Sequence, residues 1–227
     1  FNPTPDAHYD ATSAETGVIA ISGVSGGSAT ADTGVATISI IDAESAPTLS
    51  IATNDTSLGE GDSDATLTAT LSPNATYAAV TVSIATTGTA DEGDDYANMA
   101  DITIAAGNTA GTVAFNPIPD SLYEQYSSET AIINVGVSGG SATEYNAQTL
   151  TYTITEGDSA PTVTLSPTTG TVYDNASDLT ITATLSVATY ENVVVDILTS
   201  SGSATEGSDF ATVSNITVTA GNTCLLY

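Results

Sequence analysis

The chain has 227 residues and a formal net charge of −27, from 27 Asp and Glu with no Lys or Arg and a single His. With no basic footprint to neutralise phosphates, nucleic acid is excluded as a partner, and an anionic membrane surface is disfavoured for the same reason. A hydrophobic share of 41% separates it from acidic disordered tails, and no run of about 18 apolar residues exists to insert into a membrane.

Taken in order, the chain repeats itself. Phe1-Asn2-Pro3-Thr4-Pro5-Asp6 returns as Phe115-Asn116-Pro117-Ile118-Pro119-Asp120, 114 residues later. GVSGGSAT at Gly23–Thr30 returns at Gly136–Thr143, and Ser45-Ala46-Pro47-Thr48 returns as Ser159-Ala160-Pro161-Thr162. Leu67–Ser72 (LTATLS) is answered by Ile181–Ser186 (ITATLS), and Ala106-Gly107-Asn108-Thr109 by Ala220-Gly221-Asn222-Thr223. A period of this length is a domain rather than a solenoid turn. If the Ser-Ala-Pro-Thr step is the boundary, residues 48–160 form one complete domain. Residues 1–47 are then the C-terminal part of a preceding repeat, and residues 161–227 the N-terminal part of a following one. With Phe1 in place of Met and no signal sequence, the chain reads as a processed or excerpted piece of something longer.

Period-2 alternation predicts strands at Leu67–Leu71 and Leu179–Ser186, apolar on one face and Thr or Ser on the other. Further strands are expected at Val80–Ala85, Ile102–Ala105, Thr112–Asn116, Thr130–Val137 and Thr149–Thr155, punctuated by SGGS, AAGNT and DEGDD turns. No window keeps a helical period for three turns. The fold class is therefore all-β: tandem immunoglobulin-like antiparallel β-sandwiches of about seven strands each. Without Trp and with 3 Phe, each core rests on Val, Ile, Leu, Ala and some Tyr. Cys224 is the one cysteine, so no intrachain disulfide exists. A small buried hydrophobe is its expected role, an intermolecular bridge the other reading.

The stretch DEGDDY, Asp91–Tyr96, places four carboxylates in six residues, with no cationic side chain to neutralise them. Standing alone it reads as a hydrated polar turn. In its second copy, Thr205-Glu206-Gly207-Ser208-Asp209-Phe210, Asp91 and Asp94 are replaced by Thr205 and Ser208, which singles out Asp95. One His rules out a Ser-His-Asp arrangement, and His8 aligns with Leu122 rather than with a repeated ligand. The acidic turns lack an aromatic substrate platform for glycoside chemistry. No enzyme activity is expected. Asn54, Asn74, Asn175 and Asn215 lie in N-x-S/T sequons, frequent by chance in a Thr-rich chain.

The ordered features resemble the Calx-beta domain family across essentially the whole chain. They are Gly88–Tyr96 (GTADEGDDY) with its copy at Gly202–Phe210, the ITI-x-AGNT strand and turn, Phe115–Glu124 (FNPIPDSLYE), ETAIINV, and an acidic tail after the last strand. That resemblance implies Ca²⁺ bound at one end of the sandwich by Glu60, Asp95, Asp120, Glu124, Glu129, Glu156 and Asp158, with a backbone carbonyl from Leu122. The acidic run before Leu122 is thinned to Pro119-Asp120-Ser121, and the tail reads Glu-Gly-Asp. The corresponding positions of the partial repeats are Asp174 and Asp209 in one, and Asp6, Asp10, Glu15, Asp42 and Glu44 in the other. Neither EF-hand nor RTX spacing is present, so such a site would be assembled by tertiary structure. Hard oxygen ligands favour Ca²⁺ over Zn²⁺ or Cu²⁺.

The expected function is a structural module of an extracellular or cell-surface array or filament, rigidified by Ca²⁺. Its partners are copies of itself joined head-to-tail by strand complementation, or neighbouring repeats of one long chain. The lack of trypsin sites suits such a location. The alternative is an adhesin stalk or a ligand-binding module that grips glycans or a cell surface.

Overall fold

The computed structural model describes residues 1–227 apart from Ser13, Tyr145, Ser200, Ser201 and Tyr227. All of its regular elements are strands. Residues 1–47, the first of the three sequence segments, hold β1 (His8–Tyr9), β2 (Glu15–Ala20) and β3 (Val35–Ile40). Residues 48–160, the repeat expected to be complete, open with β4 (Thr48–Thr53), β5 (Ser57–Gly59), β6 (Ala65–Ser72), β7 (Ala75–Thr76), β8 (Val80–Gly88) and β9 (Ile102–Ile104). They continue with β10 (Ala110–Phe115), β11 (Leu122–Tyr123), β12 (Ser128–Ser138), β13 (Thr143–Glu144) and β14 (Thr149–Thr155). Residues 161–227 hold β15 (Val163–Ser166), β16 (Thr182–Leu185), β17 (Ala188–Thr189), β18 (Val193–Val195), β19 (Ile216–Val218) and β20 (Cys224–Leu226). These elements fall into two compact units: residues 1–56, 64–116 and 131–152 in one, and 57–63, 117–130 and 153–227 in the other.

The first unit is a sandwich. One layer is the sheet β10-β6-β4-β13. In it β6 is antiparallel to β4, from Thr48↔Ser72 to Thr53↔Leu67, and to β10, from Ala110↔Thr70 to Phe115↔Ala65. The other layer pairs β12 with β8, from Ala131↔Gly88 to Ser138↔Thr81, and β8 with β9. The alternation of β6 turns Ala65, Leu67, Ala69 and Leu71 inward, against Val80, Val82, Ile102, Ile104, Ala131 and Ile133. Across the middle runs an aromatic stack. Phe115 lies between Tyr96, at a centroid distance of 4.9 Å, and Tyr152, at 3.9 Å and nearly parallel. The stack brings two hydroxyls inside: that of Tyr152 donates to Thr53 Oγ1 at 2.9 Å, and that of Tyr96 hydrogen-bonds with the Thr86 side chain.

In the second unit β5 runs parallel to the end of β14, Ser57↔Thr153 to Gly59↔Thr155. The ladder β15-β16-β20 repeats the antiparallel arrangement of β4, β6 and β10. Two of the sequence expectations need correction here. The strand expected over 179–186 is only Thr182–Leu185, and Leu179 is exposed. Ala65 and Thr66 pair with Phe115 and Ala114 of β10, whereas the β16–β20 ladder stops at Thr182↔Leu226; on the other side β15 stops at Ser166↔Thr182, before Pro167, which has no N–H and stands where β4 has Thr53. Cys224 is exposed rather than buried, like Ala110 at the same place in β10.

The SGGS turns fold alike in both copies. Gly139, Gly140 and Ser141 have φ of 83°, 54° and 50°, and Gly26, Gly27 and Ser28 have 86°, 64° and 57°. Three successive left-handed residues need this Gly-Gly step.

The stack makes a prediction. Phe115→Ala should cost about 3–5 kcal/mol of stability, read by urea denaturation through tyrosine fluorescence. Phe1→Ala, the same residue of the preceding repeat but 68% exposed, should cost less than about 0.5 kcal/mol. Equal losses would show that the stack carries no special weight.

Candidate metal centre

The DEGDDY turn is held by its own backbone. The Asp91 N–H donates to Asp95 Oδ2 at 2.5 Å, and the Asp95 N–H returns to the Asp91 carbonyl at 2.9 Å. Gly93, at φ 102°, lets its N–H reach the Tyr96 carbonyl at 2.8 Å. Glu92 ties the turn outward, accepting from the Thr86 hydroxyl at 3.0 Å and the Met99 N–H at 2.8 Å. In the second copy Thr205 N–H donates to Asp209 Oδ2 at 2.7 Å, and Thr199 donates to Glu206 at 2.6 Å. The hydroxyls of Thr199 and Thr212 hold the Glu206 carboxyl below the usual range.

Two groups of carboxylates converge within the second unit. Glu60 follows β5, its N–H bonded to the Thr155 carbonyl at 3.3 Å. Asp120 caps the entry to β11 by accepting the Leu122 N–H at 2.7 Å, and Glu124 follows that strand. Glu156 and Asp158 leave β14. Glu60, Glu124 and Glu156 each bring a carboxylate oxygen to within 4.8 Å of the others, and so do Glu60, Asp120 and Asp158. Two oxygens bound to one Ca²⁺ at about 2.3–2.6 Å lie no more than roughly 5 Å apart, so both groups have the reach to share an ion. Glu60 belongs to both.

Glu156 orders the site. Its Oε2 accepts the Glu124 N–H at 2.5 Å and its Oε1 accepts the Asp158 N–H at 2.6 Å, so one side chain fixes the backbone at two other acidic positions. Gly157 is part of the site too, since a Cβ there would come within 3.4 Å of Glu60 Oε2. In the sequence that glycine reads only as a gap in the acidic tail. Burial, then the charges of Glu156, Asp120 and Glu124, raise the Glu60 pKa to about 7 against an opposing hydrogen bond from the Gly157 backbone.

Asp95 lies in the first unit, in the turn described above, and Glu129 is the half-buried second residue of β12. In the N-terminal repeat the Asp10 N–H donates to Asp42 Oδ2 at 3.0 Å, the counterpart of the Glu124–Glu156 bond. A hydrogen bond with Asp42, with the charges of Asp42 and Asp6 adding to it, raises the Glu44 carboxyl. Asp6, Asp10, Asp42, Glu44 and the exposed Glu15 line an open cleft. Asp174 and Asp209 are both exposed. Among the described residues, no group with metal-ligand spacing includes any of these seven.

A model of the Calx-beta domain matches residues 42–157 and again 156–221. The chain belongs to the Calx-beta domain family. Calx-beta domains are calcium-binding modules rather than catalytic ones, and this chain carries them in tandem. Solved structures similar to it include an apo-form Calx CBD1 domain, 16% identical over 49% of this chain and 99% of that one, with a TM-score of 0.40. They also include CBD12 from CALX1.2, at 15% over 75% and 70%, TM-score 0.39, and the calcium binding domain CBD12 of CALX1.1, at 12% over 78% and 74%, TM-score 0.40. No curated protein matches the sequence. Among the described residues no helix is long and apolar enough to cross a membrane.

The Glu60 shift has a definite sign. Its folded pKa of about 7 lies above the 4.5 of an ordinary Glu, so the folded state holds the proton more tightly. The resulting stability is complete below about pH 4.5 and is lost as pH rises through about 7. Metal-free protein should therefore lose about 1–2 kcal/mol between pH 5 and 8, after discounting for solvent screening. Glu60→Gln should flatten that slope. An equal slope in the variant would remove Glu60 as its source.

Proposed function

We propose that the chain is a structural module of an extracellular tandem array or filament, stiffened by Ca²⁺ at the acidic end of each complete repeat. The observation that carries this reading is Glu60, a half-buried carboxylate facing Asp120, Glu124, Glu156 and Asp158 in a chain without Lys or Arg. Two carboxylates 4 Å apart repel by about 1 kcal/mol even in water, and a divalent cation between them reverses the sign. An all-oxygen ligand set without His or Cys suits a hard cation, and the number of carboxylates suits Ca²⁺ better than Mg²⁺.

The place of the site in the chain supports a mechanical role. Glu124 directly follows β11, which pairs in parallel with β17 of the next repeat, Leu122↔Ala188 and Tyr123↔Thr189. The same junction appears one repeat earlier, where β1 pairs with β7, His8↔Ala75 and Tyr9↔Thr76. Tyr77 N–H donates to the Tyr9 carbonyl at 3.0 Å, and Tyr190 N–H to the Tyr123 carbonyl at 3.1 Å. An ion that fixes Glu124 also fixes the residue next to the junction, so occupancy stiffens the link between repeats. The metal's contribution is charge neutralisation and ligand cross-linking. The protein supplies the positioning through Glu156 and the close approach at Gly157.

Thermal melting with Ca²⁺ and with excess EDTA tests this. At about 100 times its dissociation constant one ion adds about 2.7 kcal/mol, a rise of several degrees for a domain of this size. Glu60→Gln should lose most of that response while making the metal-free form at pH 8 more stable. Melting unchanged by EDTA would sink the calcium reading.

A further inference from the structure

The fold sets the N-x-S/T tripeptides at Asn54, Asn74, Asn175 and Asn215 apart from one another. Such a tripeptide accepts an N-linked sugar where it lies on a surface loop. The transferase must hold it extended, grip the hydroxyl two residues on and turn the carboxamide toward the sugar donor. At Asn74 the chain runs straight into β7. Ala75 and Thr76 are 6% and 0% exposed, the Thr76 hydroxyl donates to the Ala78 carbonyl at 2.6 Å, and Asn74 Nδ2 donates to the Ser45 carbonyl at 3.2 Å. At Asn215 it runs into β19. Ile216 is 1% exposed, and the Asn215 carboxamide accepts the Ile197 N–H at 3.1 Å and donates to Asp196 at 2.5 Å. Asn54, between β4 and β5, has its Oδ1 taken by the Thr66 N–H at 2.6 Å, and the next carbonyl, of Asp55, accepts the Thr53 hydroxyl at 2.9 Å.

Asn175, Ala176 and Ser177 differ on every count. All three are exposed and lie in no strand. They leave a turn closed by the Ala176 N–H on the Tyr173 carbonyl at 2.9 Å. The same place in residues 48–160 is Gly61-Asp62-Ser63, which is also exposed, although the core of that repeat is covered. A Cβ at Gly61 would meet nothing within 4 Å. The openness therefore belongs to the turn itself and does not depend on what covers the rest of residues 161–227.

We propose that Asn175 is the site at which the folded chain accepts an N-linked sugar, supplied by a donor activated as an anomeric diphosphate. Asn175 Nδ2 attacks the anomeric carbon, the N–C bond forms and the C–O bond to the diphosphate breaks. The diphosphate leaves with the bonding pair, and the amide proton passes to a base of the transferase. The sugar then projects from a turn with free space around it, so attachment costs the fold no contact. The other three tripeptides react only when β7, β19 or the Asn54 corner opens, and local opening of paired, buried backbone makes such sites slow. Calcium plays no part in this site.

Sugar transfer to the folded full chain, compared with transfer to peptides cut from it, tests this. Cleavage after Glu places each of the tripeptides in a peptide of its own. Chain and peptides are each treated with a soluble N-glycosyltransferase and UDP-glucose, and the product is mapped by mass. The ratio of folded to peptide rate cancels the intrinsic preference for Thr over Ser in the third position. It should be about one at Asn175 and below about a tenth at Asn54, Asn74 and Asn215. The folded chain of 22.6 kDa should therefore gain a single hexose. Asn175→Gln should gain none in the same time while melting as the parent does. A ratio below about a tenth at Asn175, a ratio of about one at any of the other three, or an Asn175 peptide that takes no sugar would each overturn the proposal.

Discussion

Every carboxylate in this chain must find its positive partner outside the side chains, because none of them is Lys or Arg. The sole His lies 3.8 Å from Asp6. The fold answers with backbone N–H groups. Asp6 accepts from His8, Asp10 from Thr12, Asp62 from Gly59, Asp95 from Asp91, Asp120 from Leu122 and Asp209 from Thr205, all within four residues in sequence. Acids are used as turn formers, where a short carboxylate acceptor caps donors that no strand would satisfy. The charge is often incidental to that role. Asp101 accepts the Ile84 N–H at 3.0 Å, and Asn215, the neutral residue at the same repeat position, accepts the Ile197 N–H at 3.1 Å.

Against this background the Glu60 cluster is the exception. Its acids face one another: Glu156 takes two N–H donors, Asp120 takes one from Leu122 and Glu60 one from Gly157. These donors do not cancel the charges of Glu156, Asp120 and Glu124, which still raise the Glu60 pKa. A turn acid is served by a donor, and a group of facing acids suits a cation as well.

How far the sequence led depended on the range of the forces involved. The SGGS and DEGDDY turns take the same shape in both copies although their surroundings differ: a Cβ at Gly139 would strike the Ala79 carbonyl, and one at Gly26 would meet nothing. Such local structure is written in Gly, Asp and Asn and is legible directly. Strand alternation was legible too, and Leu67–Leu71 follows it. The same alternation at Leu179–Ser186 misleads, because a strand needs a neighbour as well as a pattern, and the β16–β20 ladder stops at Thr182 where the β6–β10 ladder runs on to Ala65. The acidic positions were visible through the family resemblance. Their partition was not. Nothing in the spacing sets Glu60 at the centre of two groups, or makes Glu156 an organiser of backbone, because both depend on how β5, β11 and β14 end.

The occupied N–H contacts also bear on how tightly an ion would be held. Both Glu156 oxygens already accept backbone N–H bonds, so a cation must share them or displace ordered donors, and Glu60, its pKa raised by burial and by its acidic neighbours, holds a proton that an ion must displace. Each effect subtracts from the charge available to a ligand set that looks rich on paper. Calcium sites lose affinity as ligand charge and rigidity fall, and extracellular modules with dissociation constants of about 10⁻⁴–10⁻³ M lie at the weak end of the range. A site of that strength fills where calcium is millimolar and empties where it is scarce. In the proposed array it would make the stiffness of each junction follow the calcium of the surroundings, while the turns held by their own N–H groups kept the fold in either state.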